Sequence, residues 1–159
     1  MLIRIVCAGR IKEKYFSDAV NEYKKRIGRF ASVEIMEVAD ERIPENFSTA
    51  EEKRAVEKEG ERIMEKLDPR DYVINLCIGG KRYDSEGFAA HIKELMDSGH
   101  SRIAFVIGGS AGLSQRVLSR GNETFSMSDL TFPHRLARVV LTEQLFRAFK
   151  IINGEAYHK

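Results

Sequence analysis

The sequence predicts an α/β domain with a mostly parallel sheet of five to six strands and helices on both faces. Short apolar runs alternate with longer segments of helical periodicity, which is typical of parallel strands joined by helices. The chain has 159 residues, enough to bury a core without disulfides or metals. No internal repeat or proline-rich linker divides it. We therefore expect a single domain over residues 1–159.

The first elements follow from hydrophobic periodicity. Apolar side chains recur at helical spacing within residues 16–30 and again within residues 86–97, where Gly99 follows as a C-terminal cap. The predicted strands occupy residues 2–7, 33–38, 72–78 and 103–107, with a fifth strand inside 124–132.

A charged helix is predicted at about residues 49–67. Ser48 and Glu51 have the spacing of a capping box at its start, and Pro69 lies beyond its end. Acidic and basic residues alternate closely along it, so we expect a solvent-exposed helix with many ion pairs and assign it no function.

The last helix differs from the others because it is apolar over most of its circumference. It runs from His134 to about Ile152, and Pro133 precedes it. A helix of this kind buries more than one face. We expect one face to pack on the sheet and another on a second copy of the chain, giving a homodimer. The alternative is a central helix buried within one chain.

Composition excludes several classes of protein. Cys7 and Cys77 each lie in an apolar run without a C-x-x-C pair, so both are expected in the core rather than in a disulfide or metal site. No stretch resembles a signal peptide or a membrane span. We therefore expect a cytoplasmic protein with no metal and no membrane contact.

The basic residues are concentrated at the two ends of the chain. Residues 1–30 carry eight Lys or Arg against three Asp or Glu, and residues 133–159 carry five against two. If the fold brings the ends together, they form a surface suited to a nucleic-acid backbone. Ordinary solvated helix faces are the alternative. The basic residues of the N-terminal set are Arg4, Arg10, Lys12, Lys14, Lys24, Lys25, Arg26 and Arg29.

The run IAFVIGGSAGLS, residues 103–114, contains the pattern G-x-S-x-G around Ser110, which also marks the nucleophile of α/β-hydrolases. Asp129 and either His134 or His158 follow in the chain order of a hydrolase triad. The chain is short for that fold, has no HGGG-type loop, and carries Gly112 where a helix should already run. We therefore do not expect a serine nucleophile.

Two predicted strands end in glycine pairs, Gly79–Gly80 and Gly108–Gly109. Ligands of parallel sheets bind outside the carboxyl ends of the strands, so these turns are expected to form adjacent walls of one pocket. The turn lacks the lysine of a phosphate-binding P-loop. Open backbone at the glycines suits a flat heterocycle. From the residues alone, MSDLTF (127–132) is typical of a buried strand with a turn.

Four segments together resemble one known family. They are IVCAGRIKEKYF, VINLCIGGKRYDSEGFA, IAFVIGGSAGLS and FSMSDLTFPHRLARVVLTEQLFRAFKIINGEAYHK. The chain is similar over essentially its whole length to the small SPOUT-class methyltransferases that modify N3 of a pseudouridine in bacterial 23S ribosomal RNA. The block LTFPHRLARVVLTEQLFRA and the YHK ending are the most specific parts of the resemblance.

The resemblance implies that the chain binds S-adenosylmethionine in a deep C-terminal trefoil knot, with no metal. It implies that the cofactor site combines two strand ends with the segment before the last helix. The implied cofactor-binding residues are Leu76, Gly108, Met127, Ser128, Asp129, Leu130, Thr131 and Phe132.

The resemblance also implies which residues carry the chemistry. Glu143 and Arg147 share one face of the last helix, and Tyr157 and His158 lie in the tail. The family implies that the tail of one subunit completes the site of the other, on the ribosome. Lys159 would then contact phosphate. Two alternatives remain, a non-catalytic RNA- or ribosome-binding factor with a knotted fold and a methyltransferase for another RNA such as tRNA.

Overall fold

A computed structural model describes residues 1–158, and Lys159, expected at a phosphate, lies outside the described residues. Strands and helices alternate along the chain, as the sequence predicts. The strands are β1 (Leu2–Ala8), β2 (Ser32–Val38), β3 (Tyr72–Lys81), β4 (Arg102–Ile107) and β5 (Glu123–Phe125). The helices are α1 (Lys14–Ile27), α2 (Thr49–Met64), α3 (Ser85–Asp97), α4 (Gln115–Arg120) and α5 (His134–Ile152).

The strands form one parallel sheet in the order β2-β1-β4-β3-β5. The prediction of a parallel five-stranded sheet is confirmed, and the described residues contain no sixth strand. Because every strand runs in the same direction, all carboxyl ends meet at one edge of the sheet. The pairing of β3 with β5 is irregular between Leu76 and Lys81, where its register shifts.

Helices cover both faces of the sheet. Ile103, Phe105 and Ile107 of β4 pack in one core with side chains of α1, α3 and α5. Ala104 and Val106 point to the opposite face, where they pack with side chains of α2 and α4. The alternation of side chains along a strand places both sets in a core, which explains why β4 is an unbroken apolar run.

Helix α5 lies between α1 and α3 on the same face of the sheet. These neighbours bury much of its apolar surface within a single chain. Most of the helix therefore agrees with the alternative prediction of a central helix buried within one chain. Leu136, Val139 and Val140 remain only half-buried on the side away from the sheet. These three positions share one helix face.

The helix ends agree with the capping signals where such signals exist. Ser48 accepts a hydrogen bond from the backbone N–H of Glu51 at 3.3 Å, and the Glu51 carboxylate accepts one from the Ser48 N–H at 2.7 Å. Gly99 follows α3 with φ of +87°, a left-handed conformation that favours glycine. None of the helices in residues 1–158 is both long and apolar enough to cross a membrane.

The sequence did not predict helix α4. It has six residues, of which Val117 alone is buried, and a helix this short shows no apolar periodicity. Ser114 caps its start, and no helix begins directly after Ser110. Residues 126–132 form a loop rather than a strand.

Candidate cofactor cleft and tail cluster

A cleft of about 940 Å³ opens at the carboxyl edge of the sheet. The ends of β3 and β4 form one part of its wall, and the loop between β5 and α5 forms another. Residues Glu52 of α2 and His134 and Ala137 of α5 complete the lining. The position is the one expected for a ligand of a parallel sheet.

The glycine turn after β4 is packed too closely for side chains at its first two positions. A Cβ on Gly108 would lie 2.7 Å from the carbonyl oxygen of Gly112, and one on Gly109 would lie 2.7 Å from Oε2 of Glu59. Gly112 has φ of +85°. The glycines therefore allow the turn to fold onto itself, which brings its backbone into the cleft wall.

Seven of the eight residues implied to bind the cofactor line this cleft, and Asp129 does not. Asp129 points outward, is 80% exposed, and pairs with Arg82. Ser128 shapes the loop, because its hydroxyl accepts a hydrogen bond from the Leu130 N–H at 3.0 Å. The lining members of the set are Leu76, Gly108, Met127, Ser128, Leu130, Thr131 and Phe132.

A hydrolase triad is not assembled around Ser110. Its hydroxyl has no hydrogen bond to Asp129, His134 or His158 within the described residues, and Asp129 is engaged by Arg82. The turn therefore serves as a wall of the cleft, and the expectation that Ser110 is no nucleophile agrees with the geometry.

His134 is the first residue of α5 and is one of the residues that line the cleft. Its Nε2 atom is buried without a hydrogen-bond partner among the described residues, and a Cβ on Gly9 would lie 3.0 Å from it. Burial and the nearby Arg138 and Arg135 lower the pKa of His134, which favours the neutral imidazole. From the sequence, His134 was named only as the start of the last helix and as a candidate for the rejected hydrolase triad.

The four residues implied to carry the chemistry form one cluster at the other end of α5. Arg147 Nη2 lies 2.6 Å from Oε1 of Glu143, and the hydroxyl of Tyr157 donates to the same oxygen at 3.1 Å. The guanidinium of Arg147 stacks over the Tyr157 ring at 4.7 Å and lies 3.3 Å from Nδ1 of His158. The final described residues are therefore tied to α5.

Tyr157 is held as a protonated phenol. Burial, a hydrogen bond to Glu143 and another to Tyr23 raise the pKa of Tyr157 to about 12. Its ring packs edge-on against Phe146 with the centroids 4.8 Å apart. At neutral pH this side chain can donate a hydrogen bond or stack, but it cannot act as a base.

The tail cluster and the cleft are separate within one chain. None of Glu143, Arg147, Tyr157 and His158 is among the residues that line the cleft. The two parts of the predicted site therefore do not meet in a single copy of the described chain.

The family of the chain follows from its whole length. A family model described as "Predicted SPOUT methyltransferase" matches residues 1–158. The chain belongs to the SPOUT methyltransferase family. This confirms the resemblance on which the site prediction rests.

Curated relatives of this SPOUT chain match it from end to end. A ribosomal RNA large subunit methyltransferase H from Lactobacillus helveticus is 54% identical over 159 residues, which span 100% of both chains. One from Lactobacillus delbrueckii subsp. bulgaricus is 52% identical with the same coverage. A probable methylase family protein from Haemophilus influenzae Rd KW20 superposes with a TM-score of 0.56 at 15% identity, covering 99% of this chain and 70% of that one. The structural likeness supports the fold.

Sequence reasoning missed several residues of this SPOUT site. Glu52 and Glu59 belong to the helix predicted to be solvent-exposed, yet Glu52 lines the cleft and Glu59 is buried beneath the glycine turn. Cys77 lines the cleft rather than the core, whereas Cys7 is buried as expected. Arg4, expected to be available for RNA, pairs with Asp71 at the opposite edge of the sheet. Only the packing of distant segments brings these residues to their places.

Proposed function

We propose that this chain uses S-adenosylmethionine to methylate N3 of a pseudouridine in 23S ribosomal RNA, acting on the assembled ribosome. The observation that carries the proposal is the cleft, in which two strand ends and the loop before α5 bring together residues implied to bind the cofactor. Family membership supports methyl transfer. The full-length relatives named for the large ribosomal subunit support the class of RNA.

The cleft fits the proposed cofactor in size and chemistry. Its volume of about 940 Å³ is in the range of sites that hold cofactors. Leu76, Met127 and Phe132 supply apolar surface for an adenine ring, and the backbone around Gly108 is open to its polar edge. We also propose that the segment leading into α5 forms the trefoil knot implied by the family. The return of α5 from the sheet edge at β5 to a place between α1 and α3 supports this path.

The chain's own residues must align the base and remove its imide proton. When bound, the cofactor supplies a methyl group on a positively charged sulfur. Tyr157 would hold the base by hydrogen bonding or stacking, since its phenol stays protonated. His158, at the exposed end of the cluster, would accept the proton. Glu143 and Arg147 would keep the two tail residues in place.

The separation of cleft and tail supports a homodimer in which the tail of one subunit completes the cleft of the other. The half-buried face of α5 with Leu136, Val139 and Val140 is the surface we assign to the partner. Helices α1 and α5 pack side by side, so the two basic ends of the chain lie together, as a ribosomal RNA surface requires. A small protein that reads a structured RNA by shape needs the folded ribosomal target.

Calorimetric titration with S-adenosylmethionine, with light scattering on the same sample, tests the proposal first. We expect binding in the micromolar range by a dimer. Thr131→Arg adds bulk to the cleft lining and should abolish binding, whereas Ser119→Arg on the exposed side of α4 should not.

Methyl transfer to ribosomes that lack the modification, followed by mapping of the product, tests the RNA target. Transfer to a pseudouridine N3 of 23S RNA supports the proposal. Transfer to tRNA instead would assign another substrate. A folded protein that binds ribosomes but neither binds the cofactor nor transfers methyl groups would be a non-catalytic factor.

A further inference from the structure

One face of α2 is turned toward the glycine turn and the cleft. Glu52 lines the cleft, and Glu59 lies seven positions later, on the same side of the helix. Glu59 is 4% exposed and sits directly behind Gly109. Gly60 allows this close approach, because a Cβ there would lie 2.2 Å from the hydroxyl of Ser114. Glu52 at the start of α2 is therefore part of the cleft wall, and the second half of the helix packs behind the glycine turn.

Glu52 is the only Asp, Glu, Lys or Arg among the described residues that line the cleft. Its carboxylate has no hydrogen bond or ion pair with another residue in the range 1–158, whereas the carboxylate of the neighbouring Glu51 is hydrogen-bonded to Ser48. His134 and Cys77 are the other titratable side chains that line the cleft. The pKa of His134 is lowered, so its imidazole is neutral near pH 7. Burial raises the pKa of the Cys77 thiol, so it is neutral as well. Burial raises the pKa of Glu59, so its charge is disfavoured relative to that of a solvated carboxyl. The cleft thus presents one unpaired negative charge.

We propose that Glu52 makes the cleft prefer the positively charged cofactor over the neutral product of methyl transfer. This inference rests on the proposed function. S-adenosylmethionine carries a sulfonium, an ammonium and a carboxylate, and therefore one net positive charge. Loss of the methyl group leaves S-adenosylhomocysteine with a neutral thioether and no net charge. The two molecules otherwise have nearly the same shape, so a fixed charge in the wall is a direct means of telling them apart.

The expected effect is moderate. A unit charge in a partly solvated cleft interacts with a charge several ångströms away through an effective dielectric between those of protein and water. Glu52 also lies in the first turn of α2, where the positive end of the helix dipole offsets part of its field. We expect the selectivity to change by about fivefold, which is measurable in a direct titration.

The test compares three ligands on three variants. S-adenosylmethionine, S-adenosylhomocysteine and sinefungin, whose protonated amine replaces the methylated sulfonium, are titrated into the full chain by calorimetry. Glu52→Gln removes the charge, Glu52→Asp keeps it, and Glu57→Gln removes an exposed charge from the same helix outside the cleft. Thermal unfolding of each variant establishes that it is folded.

We expect Glu52→Gln to weaken binding of S-adenosylmethionine and sinefungin about fivefold and to leave S-adenosylhomocysteine unchanged. Glu52→Asp and Glu57→Gln should keep the wild-type ratio of affinities. Equal weakening of all three ligands, or no change for any of them, would overturn the inference while leaving the proposed function intact. Failure of the folded wild-type chain to bind any of the three ligands would instead contradict the proposed function, and the inference would fall with it.

Discussion

At the scale of single residues, Gly108 shows how the absence of a side chain shapes the cleft wall. An added Cβ would meet the backbone of Gly112 at 2.7 Å, and backbone cannot move aside as a flexible side chain does. We expect Gly108→Ala to lower the free energy of unfolding by about 1–3 kcal/mol. Ser110→Ala, at an exposed position of the same turn, should change it by less than about 0.5 kcal/mol. Urea unfolding measures both, and equal effects would show that the turn has room for a side chain.

His134 makes the stability of the fold depend on pH in the acidic range. Its pKa is lowered by burial and by neighbouring arginines, so below pH 6.5, its ordinary pKa, the unfolded chain takes up a proton that the folded chain resists. Stability from this residue is therefore present at neutral pH and lost as the pH falls through the lowered value. We expect urea unfolding at a series of pH values to show a smaller acid loss for His134→Asn than for wild type. Parallel curves would contradict a buried neutral imidazole.

Tyr157 should ionise later than an ordinary tyrosine, with a pKa of about 12. Ultraviolet titration of wild type, with Tyr157→Phe subtracted, isolates its phenolate. Glu143→Gln should lower this pKa, because a neutral amide no longer disfavours the negative phenolate. The stability that Tyr157 adds should be complete below about pH 10 and lost by about pH 12. A subtracted titration centred at the ordinary value of 10 would show that the tail is not held against α5.

At the scale of elements, Arg138 fixes the start of α5 to the carboxyl end of β1. Its side chain is 1% exposed, pairs with Glu37, and donates a hydrogen bond to the carbonyl oxygen of Gly9. Because Glu37 is 32% exposed and stays solvated when left alone, we expect Arg138→Ala to cost about 2–4 kcal/mol rather than more. Arg116→Ala, at an exposed position on α4, should cost less than about 0.5 kcal/mol. Similar urea midpoints for the two variants would show that Arg138 does not anchor α5 to β1.

The elements differ in how far the sequence alone predicts them. Strand β4 and helices α1 and α3 carry long apolar patterns, and their bounds were predicted within a few residues. Helix α2 was predicted from its capping box, but its inward face was missed, because Glu52 lines the cleft and Glu59 packs behind a turn about fifty residues away in the chain. Helix α4 is too short to show a period.

The residues of the site also differ in how far the sequence alone predicts them. The residues of the cleft wall were implied by the family resemblance, since a local motif fixes which strand ends and which loop take part. Asp129 lies within that motif, yet it points outward to Arg82. Side-chain direction in a loop depends on neighbours from other segments. His134 and Glu52 had no local signal of their own and became cleft residues only through the packing of α5 and α2 against the carboxyl edge of the sheet.

At the scale of the whole molecule, a chain whose cleft and tail do not meet can be complemented by a second damaged chain. Thr131→Arg would block the cleft, and His158→Ala together with Tyr157→Phe would disable the tail, so each variant alone should be inactive. In a two-fold dimer with sites shared between subunits, random mixing gives half mixed dimers with one intact site each, or about one quarter of wild-type activity. Methyl transfer to unmodified ribosomes after denaturation and co-refolding of the two variants measures this fraction.

The controls distinguish activity that comes from mixed dimers from activity that either variant regains alone. Each variant refolded alone should stay inactive, and refolding Thr131→Arg with a second cleft variant, Ala111→Arg, should restore nothing, because every cleft is then blocked. Light scattering should report dimers in all mixtures. If dimeric mixtures of cleft and tail variants gain no activity, while wild type refolded in the same way does, each site must be built within one chain. The tail would then have to change conformation to reach the cleft of its own chain.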